Sequence, residues 1–165
     1  MEARPWGRCA VAMFLVLDNS VLSNFALVGR VDLLPRLWPG RLVTAPAAWD
    51  ELRRGIELGR VPVGEWSWLQ VLELTLDEET ACGEWVPPLD IGESACLAMA
   101  HARGYGFLTD DRVARREARR LGVPLSGTIG VLRSLVDAGS VSLGEANATL
   151  QRMIGAGYRV PVDVL

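Results

Sequence analysis

The run Val11-Ala12-Met13-Phe14-Leu15-Val16-Leu17 ends on a carboxylate, Asp18, and Asn19-Ser20-Val21-Leu22 follows directly. An unbroken apolar stretch of this length predicts a strand buried on both faces, as in a parallel sheet covered by helices. In open α/β sheets ligands gather in the crevice outside the carboxyl ends of the strands. An acid at that junction is therefore placed for a metal ion or a proton transfer, or more simply for capping the next helix.

Outward from this stretch the pattern alternates. Helical spacing of Val21, Leu22, Phe25 and Val28 predicts a helix over Ser20–Gly29, and a shorter one follows over Val31–Trp38, stopped by Pro39-Gly40. Arg41–Ala45 reads as a short strand, Pro46–Gly59 as a helix opened by proline, and Trp68–Leu74 as an edge strand. Residues 75–89 read as irregular or a short helix. After them come a helix over Asp90–Arg103, a strand over Tyr105–Thr109 and an Arg-rich helix over Asp111–Leu121. A strand at Val123–Leu125 and helices at Thr128–Ala138 and Leu143–Ala156 complete the chain. This alternation predicts a single α/β domain over residues 1–165, three layers deep, with about five mostly parallel strands. Residues 1–12 read as an N-terminal extension; their Arg4 and Arg8 imitate a secretory signal, but Asp18-Asn19-Ser20 is no small-residue cleavage site.

Composition narrows the chemistry. The net charge is −3, so attraction to nucleic acid must come from a local basic patch. All seventeen basic residues are Arg, which removes the lysine of a P-loop and any Schiff-base mechanism. One histidine, His101, rules out a two-imidazole acid/base pair within the chain, and Cys9, Cys82 and Cys96 lack zinc-site spacing. They read as reduced thiols of a cytoplasmic protein, and no stretch is long enough for a membrane span.

Carboxylates remain. Asp50 and Glu51 lie early in the Pro46 helix, where acids suit the helix dipole. Asp90-Ile91-Gly92-Glu93 matches a capping box, yet Glu93 shares its face with Leu97 and Ala100 and so points toward the core. Asp110 and Asp111 follow another strand end. Each acid alone has a capping or surface role available. Together, three acidic clusters at one edge of a parallel sheet would repel one another, and a hard divalent cation with oxygen ligands relieves this. Such ions activate water for attack on phosphodiesters. Arg112, Arg115, Arg116 and Arg119 line the next helix, either as a solvated face or as a phosphate-binding rim for RNA. Trp66, Trp68 and Trp85 read as packing residues, with base stacking the alternative.

These segments resemble the PIN-domain family, especially VapC-like toxins and related short prokaryotic PIN proteins. Leu17-Asp18-Asn19-Ser20-Val21-Leu22, Ala47-Ala48-Trp49-Asp50-Glu51-Leu52, Ile91-Gly92-Glu93-Ser94-Ala95, Leu108-Thr109-Asp110-Asp111-Arg112 and Gly127-Thr128-Ile129-Gly130-Val131-Leu132 carry the likeness, in register over about residues 13–160. The resemblance implies a Mg²⁺- or Mn²⁺-dependent endoribonuclease, often dimeric and often blocked by a cognate antitoxin. It implies Asp18, Glu51 and Glu93 as ligands, with Asp111 as the fourth and Asp110 in support. Two departures stand out: Glu93 replaces the Asp of many members, and the doubled Asp110-Asp111 leaves the fourth ligand open. The alternative within the family is a PIN-like binding module without catalysis. A haloacid-dehalogenase phosphatase is set aside, because Ser20 stands where its second Asp belongs and the chain has no Lys.

Overall fold

A computed structural model describes residues 13–160. Cys9 and the N-terminal extension lie outside the described residues. Five strands form one all-parallel sheet in the order β3-β2-β1-β4-β5. They are β1 Leu15–Leu17, β2 Leu42–Thr44, β3 Gln70–Val71, β4 Gly106–Leu108 and β5 Leu125–Ser126. The helices are α1 Asn19–Leu27, α2 Leu34–Leu37, α3 Pro46–Glu57, α4 Leu76–Trp85, α5 Ile91–Arg103, α6 Arg112–Arg120, α7 Thr128–Asp137 and α8 Leu143–Gly155. Helices cover both sheet faces, giving the expected α/β/α sandwich.

Register follows from side-chain alternation along a strand. Leu15 and Leu17 enter one core with Leu42, Leu108, Phe25 and Leu132, while Val16 enters the other with Val43, Phe107, Leu97 and Met99. β1 sits between β2 and β4, pairing Leu15 with both Leu42 and Gly106. Its residues are wholly buried, which is why the run carries no polar interruption. β3, by contrast, is a two-residue exposed edge strand, shorter than the Trp68–Leu74 segment expected from sequence. Trp66 and Trp68 pack beside it near Trp49, and the Trp68 indole donates to the Glu65 carbonyl. Their role here is packing.

Residues 76–85, ambiguous in sequence, form the complete helix α4. A capping box starts it: Glu78 N–H donates to Thr75 Oγ1 and Thr75 N–H donates back to Glu78 Oε2. The same Glu78 is buried at 2% exposure and receives Arg103 Nε at 2.7 Å and Nη2 at 2.8 Å. That guanidinium holds the Glu78 carboxyl below its ordinary value and ties α4 to the last turn of α5. Among the described residues no helix is long and apolar enough to cross a membrane.

Arg103→Ala strips a buried carboxylate of its partner and should lower unfolding free energy by roughly 2–3 kcal/mol at neutral pH. Because the folded-state pKa of Glu78 is depressed, this contribution is present above the carboxylate range and lost on acidification. Urea melts of both forms should therefore converge as the pH falls.

Candidate active site

The strand order places β1 beside both β2 and β4, so the chain reverses its winding direction across β1 and β4. This is the switch point where α/β sheets open a crevice. Asp18 leaves β1 there, and Thr109, Asp110 and Asp111 leave β4. A backbone bond from Asp18 N–H to the Leu108 carbonyl, 3.1 Å, locks the two exits together.

Asp18 is the N-cap of α1, so the simplest expectation for it holds: Oδ1 accepts from the backbone N–H of Ser20 at 3.0 Å and Val21 at 3.3 Å. The cap is not its whole environment. Ser20 Oγ donates to Oδ1 at 2.5 Å, and Thr109 Oγ1 donates to Oδ2. Both hydroxyls in turn accept backbone N–H groups, Ser20 from Asp110 at 3.0 Å and Thr109 from Asp111 at 3.1 Å. With its acceptor side so occupied, each hydroxyl has its one proton directed at Asp18. Asp18 is 1% exposed, and burial pushes its carboxyl up to about 7, with the neighbouring Asp110 charge adding to the rise.

Glu93 faces the same crevice from the first turn of α5. The predicted capping box is present: Glu93 N–H donates to Asp90 Oδ1 at 2.7 Å and Asp90 N–H to Glu93 Oε2 at 3.1 Å. Burial first, then the charges of Asp111, Asp90 and Asp18, push Glu93 up to about 7. Among the described residues no cation offsets either Asp18 or Glu93. Glu51, on α3, is raised by desolvation and by Asp90 and lowered by the Asn19 amide and Arg54. Its contact with α5 depends on Gly92, where a Cβ would stand 3.1 Å from Glu51 Oε2 and 3.3 Å from the Ala48 Cα. Asp50, its neighbour, points outward to Arg53 at 3.0 Å.

The doubled acid divides. Asp111 caps α6, its Oδ1 accepting from Ala114 N–H at 2.8 Å, and it is felt by Glu93. Asp110 instead points at the start of α7, where Thr128 and Asn24 hold it. The arginines also separate. Arg112 is exposed beside Asp111, and Arg116 is an exposed residue near Glu117, 3.8 Å away. Arg119 is exposed as well. Arg115 turns inward, donating Nη1 to the Thr109 carbonyl at 2.9 Å, and so leaves the rim that sequence spacing assigned to it. Burial pushes the Cys96 thiol up to about 12, and His101 lies exposed near the far end of α5, against Trp85.

Sequence reading passed over Thr109, Ser20, Asn24 and Asp90 as site residues. Asp90 had a signal as a cap, but nothing in its spacing shows that it also faces Glu51.

The family model described as a PIN domain matches residues 14–165, nearly the whole chain. The chain belongs to the PIN-domain family. No curated protein matches it. The PIN fold is a nuclease-type fold whose members typically bind divalent metals. In this PIN domain the donor chemistry of the described residues fits such an ion: acidic oxygens, no balancing cation among those residues, and hydroxyl and backbone donors from them that leave one acceptor position on Asp18 Oδ2 open. Among the described residues, however, no three His, Cys, Asp or Glu side chains stand close enough to form a complete cage. A cation held here would meet only one or two carboxylates directly and keep several waters.

Because the folded-state pKa of Asp18 is raised, the metal-free PIN domain should gain stability as pH falls from about 7 toward the ordinary carboxylate value of 3.8. Asp18→Asn keeps a capping oxygen but removes the buried titrating group, so the variant should lose this dependence on pH in chelator. Thermal melts in chelator at pH 5 and pH 8 check both the slope and its loss in the variant.

Proposed function

We propose that this PIN domain is a Mg²⁺- or Mn²⁺-dependent endoribonuclease, the toxin of a type II toxin–antitoxin pair. One observation carries the catalytic reading: Asp18 and Glu93 share a switch-point crevice in which both carboxyls are pushed up to about 7 and neither has a cationic partner among the described residues. Of Asp18, Glu93 and Asp111, one or two would hold the ion directly and the rest through its waters, with Glu51 at the α3 side. When bound, such an ion supplies charge neutralisation and activation of a water for phosphodiester hydrolysis. The protein groups do the positioning. Ser20 and Thr109 fix both oxygens of Asp18, and the capping box fixes Glu93.

The charge distribution supports separate sides for RNA and for a protein partner. Arg112, Arg116 and Arg119 present cations on α6, next to Asp111. Residues 61–102 contain no Arg and eight acids. On that acidic side a groove of about 540 Å³ is lined by Pro46, Leu74, Val86, Ile91 and Ala95 and rimmed by Glu73 and Glu79. Its apolar lining and acidic rim would suit an antitoxin segment with apolar side chains flanked by basic ones. The family likeness supports a homodimer, and the buried free thiols Cys82 and Cys96 suit the cytoplasm. The missing three-residue cage is the observation that favours the alternative, an inactive binding module.

Cleavage of tRNA and ribosomal RNA by the purified chain separates the two. Activity should require Mn²⁺ or Mg²⁺, vanish in chelator, and fall by about 10²-fold or more in Asp18→Ala and in Glu93→Gln. Calorimetry should show Mn²⁺ binding that Asp18→Ala abolishes. RNA left intact together with no Mn²⁺ binding by the unaltered chain overturns the nuclease. Arg112→Ala should weaken RNA binding with little dependence on sequence and lower the salt slope by about one unit, in titrations at several ionic strengths.

A further inference from the structure

We propose that the doubled acid splits into two jobs: Asp110 is a positioning residue that fixes Asp18 through the Ser20 hydroxyl, and only Asp111 faces the metal. This rests on the metal-dependent reading above and assigns roles within it.

The Asp110 carboxylate has four acceptor positions, and four donors approach them. Oδ1 accepts from Thr128 N–H at 2.9 Å and from the Tyr158 phenol at 3.4 Å; Oδ2 accepts from Asn24 Nδ2 at 2.9 Å and Thr128 Oγ1 at 2.5 Å. A metal ion would have to displace one of them. The donors come from α1, from α7 and from the segment after α8, so Asp110 pins three parts of the chain to the end of β4. The pocket is cut to this carboxylate. Gly127 has no side chain where a Cβ would stand 2.4 Å from Asp110 Oδ1 and 3.1 Å from the Thr109 carbonyl. Any other residue there would force the acid out of place.

The link to the reaction runs through the backbone. Held by its side chain, Asp110 presents its N–H to Ser20 Oγ at 3.0 Å, and that hydroxyl donates to Asp18 Oδ1 at 2.5 Å. Asp111 has a different geometry. Its Oδ1 caps α6 with a single bond to Ala114, and no donor to its Oδ2 exists among the described residues. That oxygen keeps its acceptor positions open among the described residues, and the Asp111 charge acts on Glu93.

Thiolate substitution reads the difference directly, because a cysteine ligand to Cd²⁺ produces an ultraviolet charge-transfer band and a nearby cysteine does not. Asp111→Cys should show the band on titration with Cd²⁺, above the background of the unaltered chain, and Asp110→Cys should not. Ser20→Ala should weaken Mn²⁺ binding by about 10-fold, within the range seen when a partner of a ligand is removed, while Ser20→Thr restores it. The serine pair also covers the case in which Asp110→Cys fails to fold. A band in Asp110→Cys overturns the assignment, as does its absence in Asp111→Cys while the unaltered chain binds Mn²⁺. Unchanged Mn²⁺ affinity in Ser20→Ala overturns the positioning link. If the unaltered chain binds neither Mn²⁺ nor Cd²⁺, the metal-dependent function itself fails and this assignment falls with it.

Discussion

A buried carboxylate gripped by two hydroxyls organises the functional edge of this protein. Asp18 is enclosed at the end of the central strand, where an ionised carboxylate is costly unless its oxygens are bonded. Ser20 and Thr109 supply those bonds, one from α1 and one from the end of β4. Each hydroxyl is itself held by an N–H from the Asp110-Asp111 pair, so the two strand exits become one rigid unit. Removing that arrangement would leave a buried charge and three unanchored elements.

The remainder of the edge is built around the same charge. α3 and α5 approach closely because Gly92 has no side chain, and this brings Glu51 toward Asp90. The capping box that starts α5 simultaneously orients Glu93 into the crevice. Helix capping and site assembly thus use the same atoms. A capping role and a functional role for these acids are not competing explanations, since the cap is what aims the carboxylate.

Much of this was legible in the chain. The apolar run into Asp18 identifies the central strand because a strand buried on both faces reads as a near-continuous apolar run. The helices over 91–103 and 128–137 were readable from periodicity and capping residues. α4 was not. Its apolar signal is weak because it is anchored by a buried ion pair, Glu78 with Arg103, between residues twenty-five positions apart. Arg115 was misplaced for a related reason. Its spacing matches an exposed stripe, but a carbonyl at the end of β4 draws it inward.

The sequence by itself determined the fold class, the family and the set of acids, because burial patterns and helix caps are local and repeat along the chain. Only the tertiary structure decided which acids share an environment. Asp110 and Asp111 are adjacent and chemically identical, and no spacing rule tells them apart. Their fates diverge because successive side chains leaving a strand point in different directions. One meets Thr128, Asn24 and Tyr158; the other looks toward Glu93.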